Sequence, residues 1–180
     1  MKILVVSVIV GLAAFSAVPC SAEIKKDNAE WKDSVRSKAE EMQRAFLTGD
    51  LESFIKYTYP PVIEKMGGKE KLLTAMHQSL REMKLRGITL SSVVASPPAE
   101  VHAGGDKLFA LVPVSIELKV KSETVTHHGY NLGISDDGGT NWTFVDTVRA
   151  RSPDFRQMLP DLPESLTIPI APPSTNSGLE

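Results

Sequence analysis

Thr124-Val-Thr-His-His-Gly-Tyr-Asn-Leu-Gly-Ile134, Ser135-Asp-Asp-Gly-Gly-Thr-Asn141 and Trp142-Thr-Phe-Val-Asp-Thr-Val-Arg-Ala150 read as a strand, a turn and a returning strand. The turn follows the pattern S-x-D-x-G-x-x-W through Ser135, Asp137, Gly139 and Trp142. Each fixed position has a local physical reason. An Asp carboxylate accepts hydrogen bonds from the N–H groups of its own turn. Glycine takes positive φ without Cβ strain, and the Trp packs back over the hairpin. The pattern is therefore a folding device, and Ser135, Asp137, Gly139 and Trp142 are expected to be structural.

This octapeptide resembles the Asp-box of sialidases and related β-propellers, where it is likewise not the catalytic site. Propellers repeat it blade after blade. The present chain has one copy and no internal repeat, so the motif implies a stabilised turn and not a propeller.

Working outward toward the N-terminus, Lys107 to Lys121 reads as a long strand with Leu108, Ala110, Val112, Val114, Ile116, Leu118 and Val120 on one face. Ser115, Glu117, Lys119 and Lys121 end the opposite face in solvent. Pro113 lacks a ladder donor, which predicts an edge position or a bulge there. Ala103 to Asp106 is a turn, Glu100-Val101-His102 a short strand, and Ile88 to Ala95 a further strand.

Before Gly87 the apolar period is near 3.6. Lys69 to Leu85 is predicted as a helix with the stripe Leu72, Leu73, Met76, Leu80 and Met83, opened after Gly67-Gly68 and stopped at Gly87. His77, beside that stripe, reads as an ordinary surface histidine. Pro60-Pro61 ends one helix and starts a short turn through Met66. Asp50 caps a helix carrying Leu51, Phe54 and Ile55. The first helix is expected to open at an Asp27–Glu30 capping box and to end at Gly49. Its stripe is Trp31, Val35, Ala39, Met42 and Phe46.

Downstream of the hairpin, Ser152-Pro153 is expected to start a short helix carrying Phe155, Met158 and Leu159. The prolines from Pro160 onward make Leu162 to Ile170 an extended strap and the last ten residues a disordered tail.

The first residues read as an address. Met1-Lys2 is a positive start, Ile3 to Val18 an apolar run, Pro19 a helix breaker, and Ser21-Ala22 a small-residue cleavage site before Glu23. The run is shorter than the about 20 residues of a membrane span, so secretion or a periplasmic location is expected, with no transmembrane segment in the mature chain. The alternative address is a lipoprotein anchored through Cys20, although Pro19 sits where a lipobox has a small residue. Cys20 is the only cysteine of the 180 residues, so cleavage after Ala22 leaves no disulfide, thiolate nucleophile or Cys-ligated metal. With 20 basic residues against 22 acidic ones, the net charge of −2 gives no support for nucleic-acid binding. The organisation is thus a signal peptide (1–22), one domain (23–160), and a proline-rich strap and tail (161–180).

Helices followed by long antiparallel strands make an α+β layout with the helices on one face of the sheet. That order, the Gly49-Asp50 break and Trp142-x-Phe-Val-Asp146 in a late strand resemble the nuclear transport factor 2-like superfamily, which includes ketosteroid isomerase-like and SnoaL-like enzymes. The resemblance covers Glu30 to Arg149 and rests on element order and hydrophobic pattern. It implies a curved sheet wrapped on helices as a cone, a small apolar ligand at the open end, and a homodimer through the outer sheet face.

In an isomerase-like member, a carboxylate in an apolar cone acts as general base. Asp146 is the candidate, sharing a face with Trp142, Phe144 and Val148 in a regular strand; a rim position is the competing expectation. His128 and Tyr130, with Leu132 and Ile134 on the neighbouring strand, are candidates to approach it, the hairpin register being unreadable to one residue. Tyr57 and Tyr59 are expected where the helices close over the sheet, and with Tyr130 and Trp142 they are the ligand-binding candidates. His127 and His128 are adjacent and point to opposite faces, so no metal site is assigned. No nucleophile–base pair, phosphate loop or cofactor motif is visible. The expected function is an exported ligand-binding or protein-interaction module without a cofactor. The alternative is a small cofactor-independent isomerase or cyclase using Asp146 with His128.

Overall fold

The computed structural model describes residues 21–147, 157–170 and 172–177. The expected signal peptide, apart from its last two residues, and the Ser152-Pro153 helix start lie outside them.

Four helices come first: α1 (Ser21–Thr48), α2 (Leu51–Lys56), α3 (Pro60–Lys65) and α4 (Lys69–Leu85). Their punctuation follows the local chemistry. Gly49 sits at φ 73°, the left-handed conformation that ends a helix, and the Asp50 carboxylate accepts from the Ser53 amide at 3.1 Å to open α2. Pro60 and Pro61 occupy the first turn of α3. One boundary differs from expectation. Helix α1 does not begin at Asp27 but already at Ser21, because Ala22-Glu23-Ile24-Lys25-Lys26 contains nothing that breaks a helix.

The strands are β1 (Ile88–Ala95), β2 (Val101–Gly104), β3 (Lys107–Val120), β4 (Glu123–Ser135), β5 (Thr143–Asp146) and β6 (Thr175–Ser177). They form one open antiparallel sheet around the long β3–β4 hairpin. Strands β1 and β2 share the outer edge of β3, pairing with Val114–Val120 and Lys107–Ala110 respectively. Strands β5 and β6 share the outer edge of β4, at Asn131–Ile134 and Thr124–Thr126. The architecture is α+β, as the sequence predicts. The tail is a correction: residues 175–177 are not disordered but add a strand to β4. Pro113 falls opposite the gap between β1 and β2, and its carbonyl accepts from the Ser96 amide at 2.9 Å. Its missing N–H therefore costs no ladder bond.

Directly paired residues share a face, so the register sorts the sheet. The inner face carries Leu108, Ala110, Val112 and Val114, with Trp142 and Phe144, against Val35, Ala39 and Met42 of α1. The outer face carries Phe109, Leu132, Ile134 and Val145, covered by Tyr59 and by Leu159, Leu162 and Leu166 of the returning chain. Two apolar clusters thus sandwich one half of the sheet. Lys107 anchors the covering segment, donating to the Asp161 carboxylate at 3.0 Å.

The Ser135–Trp142 turn is built as its sequence demands. Asp137 accepts from the Asn141 amide at 2.9 Å and the Thr140 amide at 3.2 Å, and the Gly139 amide donates to Ser135 Oγ at 2.9 Å. Trp142 is buried, with its indole N–H donating to the Gly139 carbonyl at 3.0 Å. The turn is also clamped to α1: Trp31 Nε1 donates to the Gly138 carbonyl at 3.0 Å and Ser34 Oγ to that of Gly139 at 2.8 Å.

Candidate functional site

Away from that clamp, the helices part from the sheet. Helix α4 has the expected stripe, but none of its residues is buried. Leu72, Met76, Leu80 and Met83 instead form one wall of a cavity of about 1350 Å³. Met42, Gln43 and Phe46 of α1 and Phe54 of α2 form the roof, with the Phe46 and Phe54 rings tilted at a centroid distance of 5.3 Å. Val114 and Ile116 of β3, residues 127–131 of β4 and residues 144–146 of β5 form the floor. Close-packed interiors hold few voids larger than a water molecule, and ligand sites span roughly 300–1,000 Å³. This cavity lies beyond the upper end of that range.

The cavity turns around one sheet edge. Neither β5 nor β6 pairs with residues 127–130, so the edge of β4 away from β3 has no strand neighbour there. Pro172, Pro173 and Ser174 cross this opening and line the cavity, and Ser174 Oγ lies 2.5 Å from His127 Nδ1.

The candidate residues divide. Asp146, His128 and Tyr130 all line the cavity. The register separates them: Asp146 pairs with Asn131, whereas His128 pairs with Ser115 and Tyr130 with Pro113. Asp146 therefore shares the inner face with Asn131 and His127, while His128 and Tyr130 belong to the outer face. His128 Nδ1 lies 3.0 Å from Ser115 Oγ on that outer side. Asp146 is exposed at the rim.

Tyr57, Tyr59 and Trp142 do not contribute to the lining. Tyr57 donates its hydroxyl to the Glu41 carboxylate. That bond pushes the Tyr57 pKa up to about 12 and holds Glu41 below the ordinary carboxylate value. Tyr59 is buried in the outer cluster, and its amide donates to the Phe144 carbonyl at 3.0 Å. His77 is exposed on α4. Among the described residues no group of three His, Cys, Asp or Glu side chains could hold a metal, and no helix is long and apolar enough to cross a membrane.

Two lining residues escaped the sequence reading. Gln43 is 5% exposed and Asn131 8%, although both carry amides. Gln43 sits four residues after Ala39, hence on the inward stripe of α1. Asn131 sits opposite Val112 on the inner face of β4. A polar residue at an apolar helical position was the available signal for Gln43. The methionines carry another: Met42, Met66, Met76, Met83 and Met158, every methionine of the described residues, line the cavity.

Comparison with family models, with curated proteins and with solved structures gives no match.

Proposed function

We propose that the protein is an exported binding module of the nuclear transport factor 2-like type, which holds a small apolar molecule between its helices and its sheet. One observation carries the reading: the apolar stripe of α4 faces a cavity of about 1350 Å³ and not the sheet. An amphipathic helix normally buries its stripe against a neighbour. Here the stripe, the two phenylalanines of α1 and α2, and the valine and isoleucine of β3 all border a space larger than the usual range of ligand sites, roomy enough for a small apolar molecule. The export assignment rests on the first 22 residues. The homodimer implied by the family resemblance would have to use what the chain leaves of its outer face, whose apolar half is covered by Leu159, Leu162 and Leu166.

Native mass spectrometry of the protein purified from its export compartment tests this. Bound mass from a co-purified apolar molecule is expected, and the same spectrum reports the mature N-terminus and the oligomeric state. A protein that takes up no apolar probe at all refutes the reading.

The alternative, a cofactor-independent isomerase or cyclase with Asp146 as general base, draws on the placement of Asp146 at the same cavity. It needs a proton acceptor in an apolar setting with a partner at hand. The exposure of Asp146 and the position of His128 across the sheet favour binding over catalysis. Turnover abolished by Asp146→Asn with unchanged ligand affinity is the result that would reverse this preference.

A further inference from the structure

We infer that the cavity selects an uncharged ligand with an apolar tail and one hydrogen-bonding group, such as a long-chain alcohol, ketone or ester, and that Gln43 and Asn131 hold the polar group. The inference rests on the binding reading above and adds the chemistry of the ligand.

Gln43 and Asn131 are both more than nine-tenths buried, and both line the cavity, one from the helical roof and one from the sheet floor. Among the described residues neither side-chain amide is given a protein hydrogen-bond partner by the fold, and neither is among the enclosed unpartnered polar atoms, so the amides open onto the cavity. A polar group that opens onto an apolar cavity is the place where a ligand's own polar group finds a partner. Each offers a carbonyl acceptor and two N–H donors, and neither carries charge. A hydroxyl, carbonyl or ester oxygen reaching them would satisfy groups that the fold leaves open.

The charged groups around the cavity exclude ionic head groups. The titratable side chains of the lining are Lys65, His127, His128, Tyr130 and Asp146. Asp146 is directly across from Asn131 in the β4–β5 register, on the same face, so a ligand carboxylate held by Asn131 would meet a like charge. An ammonium group would enter a space shared with Lys65, and the carboxylate across from Asn131, that of Asp146, is exposed, so its attraction is screened by solvent. Charge without a paired partner is disfavoured in an apolar setting. The tail has the opposite freedom. Methionine side chains are unbranched and polarisable and fill irregular space, and five of them surround the cavity. Selectivity therefore resides in the head group, and tails of different shape are tolerated.

The test uses displacement of diphenylhexatriene, a pure hydrocarbon probe that cannot use the amides, by decane, decan-1-ol, decanoate and decylamine. Decan-1-ol is expected to displace the probe at roughly tenfold to hundredfold lower concentration than decane, the range for one or two net hydrogen bonds. Gln43→Leu and Asn131→Leu are each expected to remove most of that preference, with folding of each variant read independently from circular dichroism and its thermal unfolding. Gln43→Met replaces Gln43→Leu if the latter does not fold. Equal displacement by decane and decan-1-ol overturns the inference and leaves the binding reading intact. A preference for decanoate or decylamine overturns the uncharged head group. An alcohol preference unchanged in both variants overturns the assignment to Gln43 and Asn131. Failure of the wild-type protein to bind the probe overturns this inference together with the binding reading.

Discussion

Gly129→Phe should stabilise the protein and weaken its ligand at the same time. Gly129 lies on the inner face of β4, paired with Val114, and lines the cavity. A Cβ built there meets only Val114 Cγ2, at 3.9 Å, an ordinary contact. The ring would enter the cavity without displacing backbone. Burying a Phe side chain contributes about 1.5–3 kcal/mol, and replacing a strand glycine adds up to about 1 kcal/mol. Lost rotamer freedom offsets about 0.5–1 kcal/mol of this. A net gain of about 1–3 kcal/mol corresponds to a rise in Tm of roughly 2–10 °C for a chain of this size. The same ring takes the place of two or three methylenes of a ligand, about 2 kcal/mol at about 0.8 kcal/mol each. Affinity should fall on the order of 30-fold. Thermal unfolding followed by circular dichroism gives the first quantity and diphenylhexatriene titration the second. A fall in Tm would mean that the space beside Gly129 is filled. A rise in Tm with unchanged affinity would mean that the ligand binds elsewhere. Either result refutes the placement of the site.

Gly133→Ala, four residues along the same face, should do the reverse. Its Cβ would lie 2.8 Å from Val35 Cγ2 and 3.2 Å from Phe144 Cε1, an overpacking that costs about 1–3 kcal/mol and lowers the urea midpoint. Asp137→Ala should cost about 1 kcal/mol without changing probe affinity. The Asn141 backbone and side-chain bonds, with those from Ser135 and Thr140, hold the Asp137 carboxyl below its ordinary 3.8. Its contribution is therefore present above that pH and lost as pH falls through the lower folded-state value; chemical denaturation from pH 5 to pH 2 should show a shallower acid limb in Asp137→Asn. Tyr57 behaves in the opposite sense. Its pKa is raised from 10.0 to about 12, first by the bond to Glu41, so its contribution is intact below pH 10 and lost as pH rises through about 12. Tyr57→Phe should lose about 1 kcal/mol at neutral pH and flatten that alkaline limb, measured by the same denaturation series.

Short-range chemistry made much of this fold legible. Gly49, Gly68 and Gly87, together with Pro60, punctuate the helices, because left-handed backbone and a missing N–H act on their own few residues whatever lies around them. The Asp137 turn was readable for the same reason: its carboxylate bonds to amides three and four residues away. The strand at 175–177 is not legible in the sequence because a strand of three residues has no identity until Thr124–Thr126 supply its ladder.

The site shows the same division. Sequence determined that Asp146 and His128 would sit on neighbouring strands, and that Leu72, Met76, Leu80 and Met83 would share one face of α4. Both follow from the fixed periods of strand and helix. Tertiary structure decided that Asp146 pairs with Asn131 and His128 with Ser115. It also decided that the α4 stripe borders a cavity and not the sheet. A one-residue change of register exchanges the two faces of a strand, and the separation of a helix from a sheet depends on every side chain between them. Neither quantity is a property of a local stretch of residues.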